Sequence, residues 1–396
     1  MADLARAGFT PLHDEIISPI VLSLYEGWSL AAGRILNALT GDDTIGGGLV
    51  NNGTILTSYG NDLISAPGYR GVVNYSTGVI NTGSGSDSIS ITRVSDINTD
   101  LKNYGLINLQ AGNDKILITG SGTPGVGPLS GLENYTTGQI FTGNGSDVIT
   151  VNGRGSRIRN AGLLDTGRDD DTISSDQFME NPGQILTGLG HDVIRVTTPI
   201  SVSTYSIFNE GSIQTDSGND TLTGSNSDIG FFPLFTSGIA NAGMIFLGTG
   251  NDRIAGVGGN IGIRNFGTIH AGEGHDIITG QGATTGIENW GTILTGLGDD
   301  TVNALTGGFA GLGILDLGSG NDVLRGFGTG TFDGGLGIDI LDFQPGNYTI
   351  TASGGGAYRI SKGGLQMTVS RFERFAAGAD VPLFSQAVLA GQVTFS

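Results

Sequence analysis

One unit repeats along most of this chain, most cleanly in GIRNFGTIHAGEGHDIITG (residues 262–280) and GIENWGTILTGLGDDTVN (residues 286–303). Its second half reads x-G-x-G-x-D-x-(I/L/V). The aspartate of that half recurs thirteen times, at Asp43, Asp62, Asp87, Asp114, Asp147, Asp171, Asp192, Asp220, Asp252, Asp276, Asp300, Asp322 and Asp339, with spacings of 17 to 33 residues centred near 24. The first half reads N-x-G-x-(I/L). Its asparagine precedes the aspartate by 11 residues at Asn51, Asn103, Asn160, Asn181, Asn209, Asn241, Asn265 and Asn289, and by 13 at Asn74 and Asn134, where YSTG and YTTG each insert two residues. All other length variation follows the aspartate.

A core of constant length with loops that vary at one corner is what stacked coils require, because each coil must superpose on the last while one corner can bulge outward. Segments such as GTIHA and DIITG, rich in apolar and β-branched residues and bounded by Gly and Asn, read as strands of three to five residues between turns. The chain is therefore expected to be all-β, a right-handed parallel β-solenoid with coils of ~24 residues. Ile263, Ile269 and Ile278 in one coil, and Ile287, Ile293 and Val302 in the next, are expected to face inward and stack. The asparagines, which tolerate left-handed backbone, are expected to form an amide ladder up one corner.

The aspartates raise an electrostatic problem. Coils ~4.8 Å apart bring identical positions into columns. At an effective dielectric of 20, neighbouring carboxylates at that spacing repel by ~3.5 kcal/mol at every step. The 18 Lys and Arg residues are too few to neutralise the column and do not sit beside it. The flanking G-x-G turns tightly and can aim carbonyl oxygens inward. Carboxylate and carbonyl oxygens make a hard, adaptable donor set that suits several Ca²⁺ ions better than Mg²⁺, and lacks the His or Cys that Zn²⁺ prefers. All thirteen aspartates are candidate metal ligands.

The motif resembles the calcium-binding nonapeptide GGxGxDxUx of the repeats-in-toxin (RTX, hemolysin-type repeat) family, in which U is a large aliphatic residue. GGLGIDILD at residues 334–342 matches it fully, and the resemblance covers roughly residues 34–343. Other copies depart from it: Ser58, Gln110 and Asp216 replace the first glycine of G-x-G and Asp169 replaces the second, which makes Asp62, Asp114 and Asp171 the least secure sites. In the family two nonapeptides form one coil. This chain has one per coil, so calcium is expected on one edge only. The resemblance further implies a protein exported through type I secretion by an uncleaved C-terminal signal, here VPLFSQAVLAGQVTFS, and folded on meeting calcium outside a bacterial cell or at its surface.

Three regions follow: an N-terminal cap (1–33), the solenoid of about 13 coils (34–343), and a C-terminal β cap (344–396) built from NYTITAS, AYRISKGG and LQMTVSRFERFAAG. The net charge of −19 argues against nucleic acid and anionic membranes. The absence of cysteine excludes disulfides and thiolate chemistry. No Sec-type signal and no apolar run long enough to span a membrane as a helix is evident. No catalytic residues stand out; His191 and His275 read as solvated loop side chains, and the acidic cluster Asp169, Asp170 and Asp171 reads either as general acid/base groups acting on a polysaccharide or, equally, as a degenerate calcium loop. Aromatics after the ladder asparagine (Tyr75, Tyr104, Tyr135, Phe266, Trp290) either shield that corner or stack on sugars, and FFPLF at residues 231–235 covers the flank or meets a partner. The expected function is that of a secreted, calcium-binding structural or adhesive protein, with a cell-surface polysaccharide or another surface protein as partner. The alternatives are a polysaccharide lyase or epimerase on the same scaffold, and the accessory part of a toxin or hydrolase system.

Overall fold

The computed structural model describes residues 2–3, 14–15, 21–23, 28–38, 40–68, 71–93, 101–121, 130–199, 204–227, 236–376 and 392–395. These residues contain strands and turns and no α-helix. The chain divides into two compact units, Met1–Thr197 and Thr198–Ser396.

Each coil contributes one strand to each of three parallel sheets. In the second unit one coil runs Ile261–Asn265, Thr268–Glu273 and Ile277–Gln281, and the next runs Thr285–Asn289, Thr292–Leu297 and Thr301–Asn303. Registers match motif to motif: Asn265 pairs with Asn289, Ile269 with Ile293, and Ile278 with Val302. The first unit repeats the arrangement, with Val72–Asn74 between Leu49–Asn51 and Leu101–Asn103 in the first sheet. The other two sheets of that unit stack in the same parallel way. A parallel β-solenoid is thus the fold, as the repeat requires.

The six expected inward residues, Ile263, Ile269, Ile278, Ile287, Ile293 and Val302, are all fully buried. Each such side chain contributes roughly 1.5–3 kcal/mol relative to exposure. The asparagine ladder also forms. Nδ2 of each asparagine donates to Oδ1 of the next at 2.8–2.9 Å, from Asn51 to Asn181 in the first unit and from Asn209 to Asn289 in the second. The second Nδ2 proton goes to a backbone carbonyl, as from Asn265 to Thr292 at 3.0 Å. The YSTG and YTTG insertions are absorbed as local turns closed by Gly78 N–H to Tyr75 C=O and Gly138 N–H to Tyr135 C=O.

The ends differ in detail from the expected boundaries. Parts of residues 1–33 already act as rungs: Val21–Ser23 pairs in parallel with Thr44–Gly46, and Trp28–Leu30 with Leu49–Asn51. At the other end the expected β cap is present as an antiparallel meander, Gly346–Gly354, Ala357–Lys362 and Leu365–Ser370, with Gln392–Phe395 against its first strand. The meander rejoins the solenoid, because Leu365–Ser370 pairs in parallel with Gly330–Asp333, and Arg374–Ala376 adds a further rung beside Ile340–Asp342. Phe343, Tyr348 and Phe375 are buried where meander and coils meet. His13, the FFPLF run and most of the C-terminal tail lie outside the described residues.

Replacing Asn265 by Ala should lower the unfolding midpoint by the equivalent of about 1–3 kcal/mol, because Oδ1 of Asn289 and the Thr292 carbonyl would lose their buried donor. Phe266→Ala, at a side chain 56% exposed, should fall within about 0.5 kcal/mol of the parent. Denaturant melts of both variants check this; equal midpoints would remove the ladder from the account of stability.

Candidate metal centre

The corner between the second and third sheets is where G-x-G-x-D sits, and its geometry follows from the glycines. Every described residue at a G position of the motif has positive φ, as at Gly272 (130°) and Gly274 (137°). Coils approach so closely here that a Cβ on Gly274 would stand 1.7 Å from the Gly250 carbonyl oxygen. Among the described residues four that are not glycine break the motif, Ser58, Gln110, Asp169 and Asp216, and they adopt positive φ as well, at 60–74°. The turn is therefore kept even where its preferred residue is not.

A backbone turned this sharply loses β-ladder partners, and side chains replace them in two ladders of opposite sense. The motif aspartate points inward, and all thirteen side chains are buried. Its Oδ1 accepts the backbone N–H of the aspartate one coil earlier at 2.7–2.8 Å, in the first unit from Asp43 N–H on Asp62 to Asp171 N–H on Asp192. The second unit repeats this from Asp220 N–H on Asp252 to Asp322 N–H on Asp339. The residue just before the aspartate forms the second ladder on the outside. Asn251 Oδ1 accepts His275 N–H, His275 Nδ1 accepts Asp299 N–H, and Asp299 Oδ1 accepts Asn321 N–H, at 2.7–2.8 Å. His275 is exposed, as expected, and is also a rung of this ladder through its backbone N–H and Nδ1. Sequence reading passed over this ladder because any short acceptor serves, so residue identity carries little signal.

The acidic cluster resolves in the same way. Asp169 Oδ2 accepts Gly145 N–H, Asp170 Oδ1 accepts His191 N–H, and Asp171 Oδ1 accepts Asp147 N–H. All three carboxylates are committed to backbone capping. A further member of the column, missed in the sequence, is Glu373. Its Oε2 accepts Asp339 N–H at 2.8 Å, so the longer acid closes the column from the cap. The pattern F-E-R-F, an acid followed two residues later by an inward apolar side chain, was the available signal.

In ten of these aspartates one oxygen is thus used and the other is not. Oδ2 of Asp62, Asp87, Asp114, Asp147, Asp171, Asp252, Asp276, Asp300, Asp322 and Asp339 is buried without a hydrogen-bond partner. Where Thr occupies the position five residues earlier, its hydroxyl lies near the carboxylate, but its single proton is given to the next coil, as from Thr57 to the Thr82 carbonyl at 3.0 Å. Burial pushes Asp62, Asp147, Asp252, Asp300 and Asp339 up to about 6, Asp276 and Asp322 to about 7, and Asp114 and Asp171 to about 8. Neighbouring column carboxylates push Asp114, Asp171, Asp276 and Asp322 further in the same direction.

Buried oxygens of this kind demand a proton or a cation. The donor chemistry fits calcium: one carboxylate oxygen per coil, in register, beside a turn of closely packed backbone carbonyls, with every donor an oxygen. Among the described residues no three His, Cys, Asp or Glu side chains converge, so backbone carbonyls would have to complete any coordination shell.

The aromatic row is partly a stack. Tyr75 and Tyr104 lie 6.0 Å apart and Tyr104 and Tyr135 3.9 Å apart, nearly parallel, so the inner faces cover one another rather than presenting a flat platform. In the second unit Phe266 and Trp290 are exposed on adjacent coils. No protein-family model and no curated protein matches the chain.

The raised carboxyl values fix the sign of the pH response without metal. The folded chain holds protons that the unfolded chain releases above about pH 4, so this contribution to stability is present in acid and is lost as pH rises through 6 to 8. In metal-free buffer the melting temperature should fall between pH 5 and pH 8. Asp276→Asn, which keeps the Oδ1 acceptor and removes the charge, should reduce that fall. A flat or rising profile would mean that the column is neutralised by something other than protons.

Proposed function

We propose that the chain is a calcium-binding β-solenoid that acts outside the bacterial cell, or at its surface, as a structural or adhesive element, and that folds where calcium is plentiful. The observation that carries this reading is the row of buried, unpartnered carboxylate oxygens at one corner of successive coils. The motif's resemblance to RTX repeats supports it independently. The Oδ2 atoms of the column would hold the ions, together with carbonyl oxygens of the G-x-G turns, and a bound ion would supply positive charge where the fold buries negative charge. Binding that requires the stacked corner is also folding energy, because the unfolded chain offers no such array. The charge of −19 then has a role in each state, keeping the calcium-free chain expanded and, once screened by calcium, permitting the coils to close.

Far-UV circular dichroism during a calcium titration at pH 8, after exhaustive chelation and with magnesium as control, tests the reading. A cooperative gain of β signal with calcium alone is expected, with Asp252→Asn and Asp276→Asn each requiring more calcium to reach the midpoint. A β spectrum indifferent to chelation at that pH would overturn it and leave the aspartates as backbone caps.

A further inference from the structure

A cavity of about 380 Å³ lies in the second unit where the C-terminal meander meets the last coils, remote in sequence from most of the aspartate column. Leu305, Phe327 and Leu365 give it apolar walls, Gln344, Tyr348 and Lys362 give it polar groups, and four glycines complete the lining. Among the described residues no carboxylate lines it, although the chain carries 37 acidic residues against 18 basic ones.

The polar groups are held in place from behind. Tyr348 is buried, with its hydroxyl donating to the Gln344 carbonyl at 2.7 Å. The Gln344 side-chain amide donates to the Leu305 carbonyl at 3.1 Å, which ties the wall to the solenoid. Lys362 lies over the Tyr348 ring, 4.4 Å from its centre, and donates to the Tyr348 hydroxyl at 3.0 Å and to the Pro345 carbonyl at 3.3 Å. An ammonium has three donors, so one remains for a ligand. The cavity therefore offers a fixed cation with a spare N–H, a partly exposed aromatic wall and, among the described residues, no competing anion. Its volume lies at the lower end of the range that takes small organic ligands.

We propose that this cavity binds a carboxylate-bearing sugar, a uronic acid unit of an acidic glycan, with the carboxylate on Lys362 and the apolar face of the ring against Phe327 and Leu365. An ion-pairing donor beside an aromatic wall is the complement of a ring with one charged edge and one C–H face. The inference names a partner class for the adhesive reading, but its residues are separate from those proposed to hold calcium.

The test is a calorimetric or NMR titration of the full chain with glucuronate, run with calcium present and after circular dichroism has shown the chain folded, so that the outcome does not depend on whether folding needs the ion. Glucuronate should bind saturably, and glucose and acetate at least tenfold more weakly. Lys362→Met, which keeps the methylenes over Tyr348, should weaken binding at least tenfold. Leu365→Trp, at a half-exposed wall position, should also block it without touching a polar group. Glucuronate binding unchanged in both folded variants, or no binding by the folded parent, would overturn the proposal. Equal affinity for acetate would overturn its sugar component.

Discussion

The hydrogen bond from one aspartate N–H to the carboxylate of the aspartate one coil later is the interaction on which the rest of the corner depends. The G-x-G turn brings coils within a Cβ radius of each other and removes the ordinary ladder partner of that N–H. A short side chain with an oxygen acceptor must supply the bond from inside, where water cannot. Aspartate does so from Asp62 to Asp192 in the first unit and from Asp252 to Asp339 in the second. The same choice buries a negative charge, so the demand for a counter-charge is created by the turn that makes the coil possible.

Two corners of the same coil show how much the choice of acceptor matters. At the asparagine corner each amide is both donor and acceptor, so a column of asparagines satisfies itself indefinitely through Nδ2 to Oδ1 bonds. At the aspartate corner an ionised carboxylate only accepts, and in ten of the thirteen aspartates, Asp276 among them, Oδ2 is left over. Asparagine at the motif position would keep the capping bond and abolish the charge. Thirteen aspartates and no asparagine at that position therefore need a reason beyond turn geometry, and an ion or a shared proton is the reason the chemistry allows.

Much of this was legible in the sequence because, in a stacked coil, the neighbour of each residue is its own equivalent. A strict offset of 11 residues between Asn and Asp was enough to predict the amide ladder, the inward Ile263, Ile269 and Ile278, and the insertions at Tyr75 and Tyr135. What was not legible is where identity is loose. The outer ladder alternates Asn251, His275, Asp299 and Asn321, chemically unlike residues that share only a nearby acceptor atom. The rung at Trp28–Leu30 carries Leu30 opposite Asn51, so the motif is absent where the coil is already present. The cavity beside Lys362 is assembled from four separate stretches of sequence and has no local pattern to find.

The C-terminal end of the column offers an internal comparison. Glu373 provides the acceptor for the last aspartate N–H. The Arg371 guanidinium, paired with Asp333, lies close enough to Asp339 to oppose the upward push of burial and of its acidic neighbours. Around Asp114, Asp171 and Asp276 the surrounding charges are other carboxylates. Even so, Asp339 Oδ2 stays unpartnered and its carboxyl is raised to about 6, as at Asp62, Asp147, Asp252 and Asp300 inside the stack, so a guanidinium held nearby by another acid does not replace a proton or cation on the oxygen itself.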